Sequence, residues 1–254
     1  MRAPVADRSF RVLVPPIAQG YNQHVESPTQ PIADLGSFIR ELREALRGDL
    51  PGPAAQTKMA PALRQTEPLS AAPPRQSAVL ALLYPSPEGV ALFFTVRSNS
   101  LRHHGGQISF PGGGVEAQDR TPQDTALRET EEELGFSTQD VDVLGKLTPL
   151  FIAPSHNIVH PFVGWLPTQP TLRPDPAEVS SVLIVPVAVL LDPGTLSSCT
   201  WRLDERILTA PCFMVERATI WGATAMMLNE LIAVLESLPT KAPAQTPELV
   251  GRCI

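Results

Sequence analysis

The sequence is short of cysteine, of long apolar runs and of positive charge. Its three cysteines, at positions 199, 212 and 253, are isolated and form no CxxC pair, so we expect free thiols in a reducing, cytoplasmic setting. The sequence contains no stretch of 18 apolar residues, so no membrane span is predicted. No apolar run near its start resembles a secretory signal. Acidic residues outnumber Lys and Arg by 26 to 20, which disfavours non-specific binding of nucleic acid.

Apolar residues are plentiful, at 43% of the chain, and are enough for a proper core. Residues 1–32 are polar with scattered prolines, which predicts a disordered leader. Residues 33–76 predict a helix, since Leu35 to Leu46 show helical spacing, and then an extended, Pro-rich linker that packs on the domain. Residues 77–238 are expected to form the folded domain, and 239–254 a polar tail.

Two hairpins are predicted within the domain. Apolar runs at Ala78–Tyr84 and Val90–Val96 flank a turn rich in Pro and Gly. A second pair of strands is predicted at Thr200–Leu208 and Cys212–Glu216, with Pro211 in the connection. The other predicted elements are helices at Thr121–Leu134 and Thr224–Leu238 and strands at 141–147 and 157–166, the latter interrupted by Pro161. An apolar segment follows at 182–191, in which Pro186 predicts either the end of a strand or a turn into a short helix.

The helix predicted at Thr121–Leu134 carries carboxylates where a helix tolerates them least. Glu129, Glu132 and Glu133 lie in its last two turns, at the negative end of the helix dipole, and their spacing puts them on one face. Three like charges on one face need a counter-charge to stay ionised, and a divalent cation with oxygen ligands, Mg²⁺ or Mn²⁺, would supply it. The alternative is a solvated acidic face followed by a helix stop at Gly135.

A basic, glycine-rich loop precedes this helix in a chain that is otherwise acidic. Arg97, Arg102, His103 and His104 cluster in residues 97–113, and guanidinium groups hold phosphates well. Its glycines, which are Gly105, Gly106, Gly112 and Gly113, allow a ligand to approach the backbone closely. The alternative is that an arginine pairs with a carboxylate of the core while the histidines are surface residues.

The helix and the end of the loop together resemble the signature of the Nudix hydrolases, which is a Gly, an acidic residue and then Arg-Glu-aliphatic-x-Glu-Glu-x-Gly-aliphatic. The matching residues are Gly113, Arg128, Glu129, Glu132, Glu133, Gly135 and Phe136. Asp119 stands where the family's first Glu is expected, and Thr130 replaces an aliphatic residue. The resemblance implies a mixed α/β (α+β) fold with a sheet between helices, and a metal-dependent diphosphatase.

The same resemblance implies roles for individual residues. Glu129, Glu132 and Glu133 would be catalytic and would hold Mg²⁺ or Mn²⁺, while Glu116 would be an outer ligand through water. Arg128 is similar to the family's arginine that orients a glutamate. Glu131 occupies a variable position and is expected to face solvent.

The loop further resembles the motif of the coenzyme A diphosphatase branch. The matching residues are Arg97, Ser98, Arg102, Gly106, Phe110, Pro111, Gly112 and Gly113. The resemblance implies hydrolysis of coenzyme A or its derivatives to 3′,5′-ADP and 4′-phosphopantetheine. The residues that would hold the substrate are Arg97, Ser98, Arg102, His103, Gly106, Gly112 and Gly113. The additional 3′-phosphate would account for the arginines.

Two later stretches also resemble this branch. Pro174–Val179 resembles its acidic turn, which makes Glu178 a candidate general base, although a structural contact is the favoured interpretation. Ile220–Leu228 resembles the start of its closing helix, where Trp221 and Gly222 are expected to be packing residues.

Two other functions stay open at this stage. A Nudix enzyme could act on ADP-ribose, dinucleotides or nucleoside triphosphates, although the loop motif argues against this. A non-catalytic Nudix module that binds a ligand usually lacks the helix carboxylates, which this chain keeps. We expect a small-molecule substrate, no nucleic acid or membrane partner, and a monomer or homodimer.

Overall fold

The structure is a computed structural model that describes residues 35–61, 72–87, 89–98, 106–203, 206–216 and 218–240. Three predictions therefore lie outside the described residues: the disordered leader, the substrate contacts of Arg102 and His103, and nearly all of the polar tail.

The described residues form helices and strands in the following order. The helices are α1 (Leu35–Ala45), α2 (Gly52–Gln56), α3 (Pro122–Leu134), α4 (Val187–Leu190) and α5 (Gly222–Ser237). The strands are β1 (Arg75–Ser86), β2 (Gly89–Arg97), β3 (Ile108–Ser109), β4 (Gly112–Gly114), β5 (Asp142–Lys146), β6 (Leu150–Ile152), β7 (Asn157–Trp165), β8 (Val179–Pro186), β9 (Leu196–Leu203), β10 (Arg206–Val215) and β11 (Ala218–Trp221).

The large sheet is mixed and is centred on β1. Its main path runs β3-β2-β1-β7-β5, while β4, β6 and β8 pair with β1, β7 and β2. β1 and β7 are parallel, and the remaining pairs in this sheet are antiparallel. The predicted first hairpin is confirmed, because β1 and β2 meet at Ser86 and Gly89.

Apolar residues of β1 and β2 alternate between two cores on opposite faces of the sheet. Leu83 and Phe94 join the core that contains α1 and α5, whereas Leu82 and Phe93 join the core that contains α3. A strand that is covered on both faces reads as a continuous apolar run. The predicted mixed sheet between helices is therefore confirmed.

Residues 52–59 of the segment after α1 are helical, so the predicted extended conformation is wrong there. α2 and the following 3₁₀ turn pack against α5. They are held there by Glu230 of α5, which is fully buried and accepts hydrogen bonds from the Gly52 N–H, the Gln56 amide and the Thr148 hydroxyl. A buried carboxylate needs hydrogen-bond donors, and the helical conformation of this segment places two of them, on Gly52 and Gln56, next to Glu230. An extended chain would not bring both donors to the carboxylate.

The second hairpin is real, but its predicted turn at Pro211 is wrong. β9 and β10 are paired from Leu203 and Arg206 onward, and their register continues through Pro211, which is paired with Ser198. β7 likewise continues through Pro161. A proline removes one donor from a ladder, and the pairs on either side outweigh that loss.

This hairpin also overturns the expectation that all the cysteines are free thiols. Cys199 and Cys212 form a disulfide that joins β9 to β10, across 6.1 Å between Cα atoms. The sequence separation of 13 residues gave no sign of this. The pairing of the strands, in which Cys199 lies opposite Ala210, brings the two cysteines together. Cys253 lies outside the described residues.

No helix in the described ranges is both long and apolar enough to cross a membrane.

Candidate active site

α3 owes its position and length to local chemistry, as the sequence predicts. The Thr121 hydroxyl accepts from the Asp124 N–H and the Asp124 carboxylate accepts from the Thr121 N–H, which is a capping box. Pro122 starts the helix, and Gly135 ends it in the left-handed conformation with φ +69°. The inner face of α3 packs Ala126 and Leu134 against the sheet, and this leaves its last two turns beside β4.

Thr130, which replaces an aliphatic residue of the family signature, is fully buried. Its hydroxyl donates to the Ala126 carbonyl 2.7 Å away, so the buried polar atom is satisfied within the helix. The departure from the signature therefore leaves the geometry of α3 intact.

Three consecutive glycines of β4 lie against the helix carboxylates. The Gly112 N–H donates to the Glu133 carboxylate at 3.1 Å, and the Gly114 carbonyl accepts from Arg128 at 3.1 Å. A Cβ on Gly113 would overlap the Glu129 carboxylate, and one on Gly112 would overlap the backbone of Ala78 and Val79 in β1. The absence of side chains at Gly112 and Gly113 is what lets α3 approach β1 so closely.

Arg128 joins the loop to the carboxylates. Its guanidinium binds Asp119 through two hydrogen bonds of 3.0 Å and also pairs with Glu129 and Glu132, at 3.1 and 3.0 Å. Asp119 further accepts from the Thr125 hydroxyl at 2.9 Å. The guanidinium lowers the pKa of Asp119, and the carboxylate in turn raises the pKa of Arg128. The sequence places Asp119 at the family's acidic position, but only the structure shows that it holds Arg128.

The helix carboxylates differ in burial and therefore in charge preference. Burial raises the pKa of Glu133 to about 7, although the Gly112 N–H opposes this change. Burial also raises the pKa of Glu129, against the effect of Arg128, and the charge of Glu132 adds to the increase. Glu132 itself is 57% exposed at its side chain. Ionising Glu129 and Glu133 therefore costs free energy, and a nearby cation would offset that free energy.

Glu178 and Arg97 border this cluster. The charge of Glu178 raises the pKa of both Glu129 and Glu133, while the charge of Arg97 lowers that of Glu133. The Ser98 N–H donates to the Glu178 carbonyl at 2.8 Å, which ties the acidic turn to the start of the loop at residues 97–113. Both the Arg97 and the Glu178 side chains are exposed, so a ligand can reach them.

The loop residues Gly106 and Glu116 were also predicted to belong to the site. Gly106 closes back on β2 through a hydrogen bond from its N–H to the Arg97 carbonyl, at 2.9 Å, with φ +75°. Glu116 is exposed; its carboxylate accepts from Gln118 and its N–H donates to Asp119. Its assignment as an outer metal ligand stays a prediction. Glu131 is exposed as expected, and it accepts from Thr138 in the turn after α3.

The donor set suits a hard divalent cation, because its donors are carboxylate oxygens on one helix face. Among the described residues, no three acidic, histidine or cysteine side chains already converge as a metal-binding group. Arg128 instead neutralises Glu129 and Glu132. Glu132 is exposed enough to change rotamer and join Glu129 and Glu133 around an ion.

Comparison with known proteins agrees with this arrangement. The family model of the NUDIX domain matches residues 74–202. Over 157 residues the chain is 35% identical to the uncharacterized Nudix hydrolase NudL of Photorhabdus laumondii, covering 62% of this chain and 83% of that protein. Over 168 residues it is 36% identical to the human mitochondrial coenzyme A diphosphatase NUDT8, covering 64% and 70%.

Among solved structures, the Nudix hydrolase RenU of M. smegmatis superposes with a TM-score of 0.44 and 16% identity, covering 66% of this chain and 90% of that one. The family model spans the sheet, the glycines of β4 and the whole of α3. The chain therefore belongs to the Nudix family, and it is a hydrolase that acts on diphosphate bonds.

Proposed function

We propose that this hydrolase cleaves the diphosphate linkage of coenzyme A or a derivative, with Mg²⁺ or Mn²⁺ as cofactor. One observation carries the proposal. Gly112, near the end of the loop motif of the coenzyme A branch, donates its N–H to the Glu133 carboxylate at 3.1 Å, so this loop ends against the helix carboxylates. Arg97 lies at the start of the same loop, and its charge lowers the pKa of Glu133. A diphosphate bound at the helix carboxylates would then lie within reach of this arginine. The 36% identity to a coenzyme A diphosphatase supports the same substrate class.

In the proposed mechanism the residues of the chain bind and orient the substrate. A bound divalent ion would neutralise the diphosphate and lower the pKa of the attacking water. Glu129, Glu132 and Glu133 would hold that ion, with Glu116 as an outer contact, while Arg128 and Asp119 fix the carboxylates. Arg97 and Ser98, with Gly106, Gly112 and Gly113, would line the phosphate side together with Arg102 and His103.

Glu178 is the candidate general base. It is exposed, it borders Glu129 and Glu133, and its backbone is held by Ser98. A substitution at Glu178 can distinguish a chemical role from a structural one. Glu178→Gln keeps the backbone contact, and a true base would show a fall in kcat together with the loss of one limb of the pH–rate profile.

The decisive experiment incubates the pure protein with coenzyme A, with and without Mg²⁺, and identifies the products by mass. We expect 3′,5′-ADP and 4′-phosphopantetheine only when the metal is present, and removal of the metal by chelation should abolish turnover reversibly. A panel that adds ADP-ribose, a dinucleotide and a nucleoside triphosphate tests the main rival. Faster turnover of any of these than of coenzyme A would refute the proposed substrate. Location in the cytoplasm and a monomeric or dimeric state also stay predictions.

A further inference from the structure

The Cys199–Cys212 disulfide takes no part in the proposed reaction, yet it lies in an unusual setting. Cys212 is fully buried on β10, whereas Cys199 on β9 is partly exposed. An attacking thiol could therefore reach the Cys199 sulfur and release the Cys212 sulfur.

Two tryptophans pack with this disulfide. Trp201 and Trp221 stack with ring centroids 4.2 Å apart, on the face of the small sheet that also carries both cysteines. In the register of β10 and β11, Trp221 lies directly opposite Cys212. Trp201 is only 6% exposed, so the indole pair and the disulfide form one cluster, named here the sulfur–indole cluster (Cys199, Trp201, Ala210, Cys212 and Trp221).

The sulfur–indole cluster is connected to the loop that precedes the active site. Trp221 is followed at once by α5, and the Thr224 hydroxyl in the first turn of α5 donates to the Ile108 carbonyl of β3 at 3.1 Å. β3 is paired with the end of β2 next to Arg97. It leads within four residues to Gly112, whose N–H contacts Glu133. A packed strand, a helix start and hydrogen bonds thus run without a break from the disulfide to the site.

We propose that Cys199 and Cys212 form a thiol-responsive pair that regulates substrate binding at the active site. The reductant is a low-molecular-weight thiol. Its thiolate attacks the Cys199 sulfur, the S–S bond breaks, and the Cys212 thiolate leaves and takes a proton. A second thiolate then attacks the mixed disulfide and releases the Cys199 thiolate, which also takes a proton. In sum, two thiols become one disulfide, and the protein disulfide becomes two thiols.

Reduction removes the covalent link between β9 and β10. The indole pair packs against this link. We expect the sulfur–indole cluster to loosen, and with it the Thr224–Ile108 contact and the loop at 106–113. The oxidised form should therefore bind substrate more tightly. This last expectation rests on the proposed function, whereas the loosening of the loop does not.

The test uses the full chain with Cys253→Ser, so that Cys199 and Cys212 are the only thiols. The protein is treated with oxidised or reduced glutathione, and free thiols are counted after denaturation. Hydrogen exchange of residues 106–113 is measured without substrate. Turnover is measured with the S-methyl thioether of coenzyme A, which has no thiol to interfere. Adding Cys199→Ser to the same chain provides the matched control that cannot form the bond.

We expect no free thiol in the oxidised protein and two in the reduced one, with faster exchange at 106–113 after reduction. We also expect KM to rise about fivefold or more on reduction, and the Cys199→Ser chain to behave alike in both buffers. The proposal is overturned if the bond never forms, if exchange at 106–113 is the same in both states, or if coenzyme A analogues are hydrolysed with the same KM in both states. If coenzyme A analogues are not hydrolysed in either state, the proposed function fails, while thiol counts and exchange still decide the redox proposal. If Cys199→Ser does not fold, the two states of its parent still give the result.

Discussion

The three glycines of β4 make a prediction that separates catalysis from stability, because each faces a different neighbour. A Cβ at Gly113 would lie within 2.5 Å of all three atoms of the Glu129 carboxyl group, which is closer than non-bonded atoms can approach. A carboxylate on a flexible side chain can yield, so Gly113→Ala should fold. To reach an ordinary van der Waals separation the carboxylate must move by roughly 1 Å. Misplacing a reacting or metal-holding group by that distance costs on the order of 10²-fold in rate.

The neighbouring glycines provide the controls. A Cβ at Gly114 meets no atom within 4 Å, so Gly114→Ala should keep both activity and stability. At Gly112 the backbone has φ +152° and a Cβ would overlap the backbone of Ala78 and Val79. Backbone atoms of a central strand cannot move aside, so Gly112→Ala should lower the free energy of unfolding by about 2–5 kcal/mol.

The assay compares kcat at saturating Mg²⁺ with the free energy of unfolding in urea for all three variants. We expect Gly113→Ala to lose activity and keep its stability, Gly114→Ala to keep both, and Gly112→Ala to lose stability. If Gly113→Ala turns over within threefold of the Gly114→Ala rate, then Glu129 does not hold a catalytic ion beside this glycine. The reasoning about the site would then fail.

Other substitutions test the remaining assignments. Glu132→Gln should reduce kcat by about 10²-fold or more at saturating Mg²⁺, since the carboxylate charge is lost at similar size; unchanged turnover would contradict the metal-binding role. Arg102→Ala should raise KM for coenzyme A more than for dephospho-coenzyme A, and an equal loss for both would exclude contact with the 3′-phosphate. Glu230→Ala should destabilise the fold by roughly 2–5 kcal/mol in urea, because it leaves buried donors of Gly52, Gln56 and Thr148 without an acceptor. Glu44→Ala, exposed on α1, should change it by less than about 0.5 kcal/mol, and a similar loss at both positions would contradict the anchoring role of Glu230.

Local patterns in the sequence determined the parts of this protein that depend on near neighbours. The limits of α3 follow from Thr121, Asp124 and Gly135, which act through contacts three or four residues apart. The first hairpin follows from two apolar runs around a short turn. The acidic face of α3 follows from spacing alone, and with the glycine loop it predicted the family.

The tertiary structure decided what depends on pairing between distant segments. The turn of the second hairpin was misplaced because a proline was weighed by itself, whereas the β9–β10 register runs through Pro211. The same register joins Cys199 to Cys212, which no spacing rule could foresee. The hydrogen-bonded ion pair between Asp119 and Arg128 joins the loop before α3 to the helix itself. A loop has no periodicity from which such a contact could be predicted. Periodicity reports which face a residue occupies, and only the packed chain determines which residue it meets there.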